Sequence, residues 1–106
     1  MIVRVIKMTV KEQYIDSFRK RVPVISNEVR RVSGCMHNDI FRDRNNDNIF
    51  YSYTIWSSEE DIERYLKSMY YKEIWGDIWD YFKKEPMAWK IDNMFDYPSG
   101  ENFPPK

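Results

Sequence analysis

The sequence predicts an α+β domain: one four-stranded antiparallel sheet with its helices on a single face. Three features point there. The chain opens on a β-branched run, its middle is an apolar hairpin that stops at Trp56 directly before a capped helix, and helical apolar stripes separate the strands.

The first strand covers residues 2–10, with Ile2, Ile6, Met8 and Val10 on one face and Val3, Val5 and Thr9 on the other. Both faces are apolar enough to be partly covered. Thr9 with Glu12 three residues later opens a helix, because a Thr hydroxyl and a Glu carboxylate can cap each other's backbone N–H groups. Tyr14, Phe18, Val22, Ile25 and Val29 then form an apolar stripe that runs to Arg31. Pro23 lies inside that stripe and predicts a kink or break near Arg21. A basic last turn and Gly34 end the helix.

Cys35 to Arg42 is the second strand, residues 43–48 form a compact polar turn rich in Asn and Asp, and Ile49 to Trp56 is the third strand. Ser57 or Ser58 caps the next helix, with Glu59, Glu60 and Asp61 in its first turn and Ile62, Tyr65, Leu66 and Met69 turned inward. A second helical stretch over residues 70–84 places Tyr71, Ile74, Trp75, Ile78, Trp79 and Phe82 on a broad stripe, with Gly76 as a weak point and Pro86 as a stop. Residues 87–95 alternate again and give the fourth strand. The order β-α-β-β-α-α-β is a ferredoxin-like βαββαβ fold over residues 1–96. Residues 97–106, with Pro98, Gly100, Pro104 and Pro105, read as an irregular tail, either flexible or an arm on a neighbouring copy.

Aromatic residues make up 17% of the 106-residue chain while 32% is charged, more aromatic surface than a monomer of this size readily buries. The sheet face opposite the helices carries Tyr, Trp, Phe and Ile, and a homodimer that pairs two such faces covers it. An unusually aromatic core is the plainer alternative.

Lys and Arg number 17, as do Asp and Glu, so no net field attracts nucleic acid or an anionic membrane. No apolar run approaches the roughly 20 residues of a membrane span. A single cysteine, with no charged n-region and apolar h-region at the start, predicts a cytoplasmic protein. Gly34, Gly76 and Gly100 are too far apart for a phosphate-binding loop, and His37 has no His or Cys at ligand spacing, so neither a nucleotide cofactor nor a metal is expected. Cys35 and His37 do not make a nucleophile pair, since alternate residues of a strand sit about 6–7 Å apart. Cys35 reads as a small buried residue.

His37 is the best acid–base candidate, set against the plainer reading of a hydrogen-bonded strand histidine. Asn38, Tyr53, Tyr70, Tyr71 and Trp75 can donate hydrogen bonds into a cavity, and Trp56 can contribute to its wall, with simple packing as the alternative for each.

Gly34-Cys35, the Arg42-Asp43 pair, the run from Phe50 through Trp56 with Ser57-Ser58-Glu59-Glu60, and the later Tyr71 and Trp75 resemble the antibiotic biosynthesis monooxygenase family of the dimeric α+β barrel superfamily. The resemblance spans residues 1 to 95. It implies a homodimer of ferredoxin-like protomers, each with a pocket between sheet and helices. For some members it also implies oxygenation of small aromatic phenols or quinols by molecular oxygen, without metal, flavin or other cofactor. In that setting His37 is the base or hydrogen-bond donor, Asn38 and Tyr53 orient the ligand's oxygens, and Trp56, Tyr71 and Trp75 line the pocket. The chain departs from the family pattern at Thr54, where an acidic residue is common, and at Asn38, where an aromatic is common. Haem-degrading relatives are not matched, because strand one has no Asn and no histidine falls in the second helical region. The competing expectation is a non-catalytic barrel that binds a small ligand or serves a stress response.

Overall fold

A computed structural model describes residues 1–92 of the chain. Strands β1 (Ile2–Thr9), β2 (Cys35–Arg42), β3 (Ile49–Trp56) and β4 (Met87–Asp92) form one sheet in the order β2-β3-β1-β4, with every neighbouring pair antiparallel. Helices α1 (Ile15–Arg30), α2 (Glu59–Leu66) and α3 (Met69–Ile78) connect them. This is the ferredoxin-like α+β architecture that the sequence predicts. The expected strand positions 93–95 and the tail at 97–106 lie outside the described residues.

Several boundaries differ from expectation for local reasons. Thr9 does not cap a helix: it is buried at the end of β1 and pairs with Ile49. A 3-10 turn at Glu12–Tyr14 leads into α1, and neither start has a side-chain cap. α1 runs unbroken through Pro23, which lies on the exposed side of the helix. There the carbonyl that loses its N–H partner can turn to water. The second helical stretch is shorter than residues 70–84. α3 ends at Ile78 and a 3-10 turn, Trp79–Tyr81, follows. The chain then folds back on β1, with Lys83 N–H donating to the Thr9 carbonyl at 2.8 Å. Met69 opens α3 and is exposed rather than inward, because Ser68 caps that helix by accepting from the Tyr71 N–H.

The hairpin and the entry to α2 follow the expected pattern. Asp43 accepts from the Asn45 and Asn46 backbone N–H groups, both at 3.0 Å, and folds the turn on itself. Ser58 caps α2 by accepting from the Asp61 N–H. Gly34 has φ +89°, and a Cβ there would overlap the Asp61 side chain, so glycine is required both by backbone and by space. The Gly34 carbonyl in turn accepts from Ser57 N–H at 2.9 Å, which ties the start of β2 to the start of α2.

Register decides which side chains meet the helices. One row across the sheet is Asn38, Thr54, Arg4 and Lys90, and the next is Ile40, Ser52, Ile6 and Ala88. Between the sheet and the helices lies the core, built on Ile6, Met8, Phe18, Ile25, Phe50, Trp56, Ile62 and Ile74. The intervening rows face the other way: His37, Ile55, Val3 and Ile91, then Asp39, Tyr53, Val5 and Trp89. No described helix covers this second face, and Phe41, Trp89 and Ile91 on it are 54%, 43% and 51% exposed.

Candidate functional site

A cavity of about 40 Å³ lies between the helix-side face of the sheet and α1, α2 and α3. That is room for a few waters. Arg4, Asn38, Thr54 and Trp56 line it from the strands, Tyr65 and Trp75 from the helices, and the rest of its wall is mostly aliphatic.

Its polar groups differ in how fully they are used. Asn38, 1% exposed, accepts from Thr54 Oγ1 at 2.9 Å and donates through Nδ2 to Ser26 Oγ at 3.1 Å. Arg30 Nε donates to the Asn38 carbonyl at 3.0 Å. Asn38 is therefore held by α1 and β3 together, and a residue expected to orient a ligand is largely occupied within the fold. Trp56 is also 1% exposed, yet its indole Nε1 is buried with no hydrogen-bond partner among the described residues. An unpaired buried donor costs about 1–3 kcal/mol, so the indole N–H of this cavity-lining residue favours an acceptor beside it.

Aromatic rings continue from Trp56 across the helices. Trp56 packs on Tyr65 with centroids 5.1 Å apart, Tyr65 on Tyr71 at 5.1 Å, Tyr71 on Trp75 at 5.9 Å and Trp75 on Phe82 at 5.7 Å. Burial, with Tyr71 beside it, pushes the Tyr65 hydroxyl well above the usual phenol range, so that it stays protonated. Beyond Trp75 an open groove of about 320 Å³ runs past Tyr71, Trp79 and Glu85. Arg4, Ile6 and Trp75 belong to both spaces.

The expected site residues thus divide by strand parity. Asn38, Trp56 and Trp75 meet at the cavity, and Tyr71 stands in the adjoining groove. His37 and Tyr53 face the opposite side of the sheet, where His37 Nε2 lies 2.5 Å from Asp39 Oδ2 and Arg30 holds the other oxygen of that carboxylate at 3.1 Å. The two-residue alternation that sends Asn38 inward sends its neighbour outward. Burial raises the Cys35 thiol pKa, in keeping with a packed cysteine rather than a nucleophile. Arg4 was not singled out in the sequence, since a lone charge in an alternating strand reads as its wet face. Among the described residues no three His, Cys, Asp or Glu side chains group as a metal site, and no described helix is long and apolar enough to cross a membrane.

The family model for antibiotic biosynthesis monooxygenase matches residues 1–75. The chain belongs to that family. Solved structures with the same fold include a candidate antibiotic biosynthesis monooxygenase from Nitrosomonas europaea, 16% identical over 90% of this chain and 100% of its own, with a TM-score of 0.81. A conserved protein from Methanosarcina mazei Go1 is 21% identical over 86% of this chain and 91% of its own, TM-score 0.77. A variant of SnoaB, a cofactor-independent oxygenase from Streptomyces nogalater, is 14% identical over 92% of this chain and 97% of its own, TM-score 0.78. At such identities the likeness concerns the fold. No curated protein matches the chain.

Proposed function

We propose that this antibiotic biosynthesis monooxygenase family member oxidises a small aromatic phenol or quinol, with molecular oxygen as the oxidant and the substrate itself as the reductant. In the simplest case a phenol and O₂ give a quinone and water: one oxygen atom enters the ring carbon, and the other leaves as water with the ring hydrogen and the phenolic proton. The observation that carries this reading is the buried, unpartnered indole N–H of Trp56, a residue that lines a small and largely apolar cavity. A donor with no competing acceptor can hold a ring oxygen as negative charge develops on it, and the apolar wall excludes water from the anion.

Trp56 donates to the ligand in this reading, Asn38 and Thr54 make the neighbouring part of the same sheet wall polar, and Trp75, with Tyr71 from the adjoining groove, supplies the aromatic side. His37 and Tyr53, on the far face of the sheet, take no part in the chemistry of their own protomer's cavity. A second copy laid on that face completes the expected homodimer.

Oxygen uptake with a panel of anthrones and quinols tests the proposal. Trp56→Phe keeps the ring but removes the N–H, and kcat/KM should fall about tenfold or more. A non-catalytic ligand-binding barrel is favoured by one observation: apart from tyrosine, no described side chain able to act as a general base lines the cavity. Thermal stabilisation by the same compounds without oxygen uptake would select that alternative.

A further inference from the structure

We propose that Arg4 selects the ligand's charge, and that the compound bound is a single-ring aromatic acid whose carboxylate pairs with the Arg4 guanidinium while its ring points toward Trp56. The inference rests on the ligand-cavity reading above and adds a substrate class to it.

Arg4 is a partly buried cation in the middle of β1. Its cross-strand neighbours on the helix side are Thr54 and Lys90. Two cations directly opposite each other on one face repel. Lys90 is neutralised by Glu59, with Nζ 2.5 Å from Oε1. Arg4 forms no salt bridge among the described residues, and Glu85, which shares the outer groove, does not come within ion-pair distance of it. A partly buried cation without a partner is costly unless an anion joins it.

The same residue touches both the inner cavity and the outer groove, with Trp75 as the shared wall. An anion in the groove can therefore reach Arg4 from the solvent side. Guanidinium is planar and presents paired N–H groups that match the two oxygens of a carboxylate. Trp56 lies on the same face of the sheet, two residues along β3 from Thr54, the cross-strand partner of Arg4. An aromatic acid whose carboxylate pairs with Arg4 therefore has its ring over the same face of the sheet as Trp56. The compound so described carries an acid at one end and an acceptor oxygen at the other, and Trp75 must turn aside to admit it.

Calorimetric titration with 4-hydroxybenzoate and its neutral amide, 4-hydroxybenzamide, decides the matter. Wild-type protein should bind the acid about tenfold or more tighter than the amide. Arg4→Met should erase that preference while the amide still binds, and Arg4→Lys, which keeps the charge, should retain part of it. Equal affinity for acid and amide in the wild type, or an unchanged preference in Arg4→Met, overturns the role of Arg4 and leaves the ligand cavity standing. Failure of both probes to bind wild-type protein, together with no thermal shift from the anthrone and quinol panel, overturns both.

Discussion

Adjacent residues of β2 carry opposite assignments. Asn38 is buried under α1 and bonded to Thr54 and Ser26, whereas His37 stands exposed at the other face, hydrogen-bonded to Asp39. Proton transfer needs a base within hydrogen-bond reach of the atom it serves, or one water away. His37 is separated from the cavity by the thickness of the sheet, so His37→Ala should leave kcat/KM for an identified substrate within about twofold of wild type. A loss of tenfold or more in steady-state oxygen uptake would return His37 to the mechanism. Residue chemistry alone singled out the histidine. What it did not contain was parity, the knowledge of which alternate set the helices cover. The same gap hid Arg4, whose charge looked like a solvent-facing interruption of an apolar strand, while Trp56 was legible because a bulky residue at a strand end before a helix cap is a local signal.

At the scale of elements, the hairpin and the start of α2 were readable because every group that makes them lies within a few residues in the sequence. The end of α3 was not. Its apolar stripe continues through Trp79 and Phe82, but Thr9 and Lys11 hydrogen-bond the backbone at Lys83 and Tyr81, a long-range demand that overrides helical periodicity. The α2 entry also sets a pH dependence. Hydrogen bonds from Ser57 and Ser58, and from Arg64 beside them, lower the Asp61 carboxyl from an ordinary 3.8 to about 2. A folded-state pKa below the unfolded one stabilises the fold when pH exceeds the unfolded value, and that contribution is lost as pH falls through the folded one. The wild type should therefore exceed Asp61→Asn in urea midpoint by a constant margin above about pH 5, a margin that narrows below about pH 4 and is nearly gone at about pH 2. A margin independent of pH across that range would assign the effect to packing against Gly34 instead.

For the whole molecule, the fold class followed from element order, whereas assembly did not. The second sheet face presents Phe41, Trp89 and Ile91 with no described helix over them, and exposed apolar faces of this kind mark interaction surfaces. Two copies meeting through this face should sediment as a dimer at micromolar concentration. Trp89→Glu, which places a charge at the β4 end of the row that runs through Val5 and Tyr53, should shift that equilibrium toward monomer while the circular dichroism spectrum is retained. A wild-type chain that sediments only as monomer under these conditions removes the sheet-to-sheet dimer.

The inner cavity has a volumetric consequence as well. Unfolding eliminates internal voids, so hydrostatic pressure acts preferentially on a fold that encloses one. A compound that fills the space under α3 should raise the unfolding pressure by more than one that binds only in the outer groove. The pressure midpoint then reports where a ligand sits, whether or not it is ever turned over.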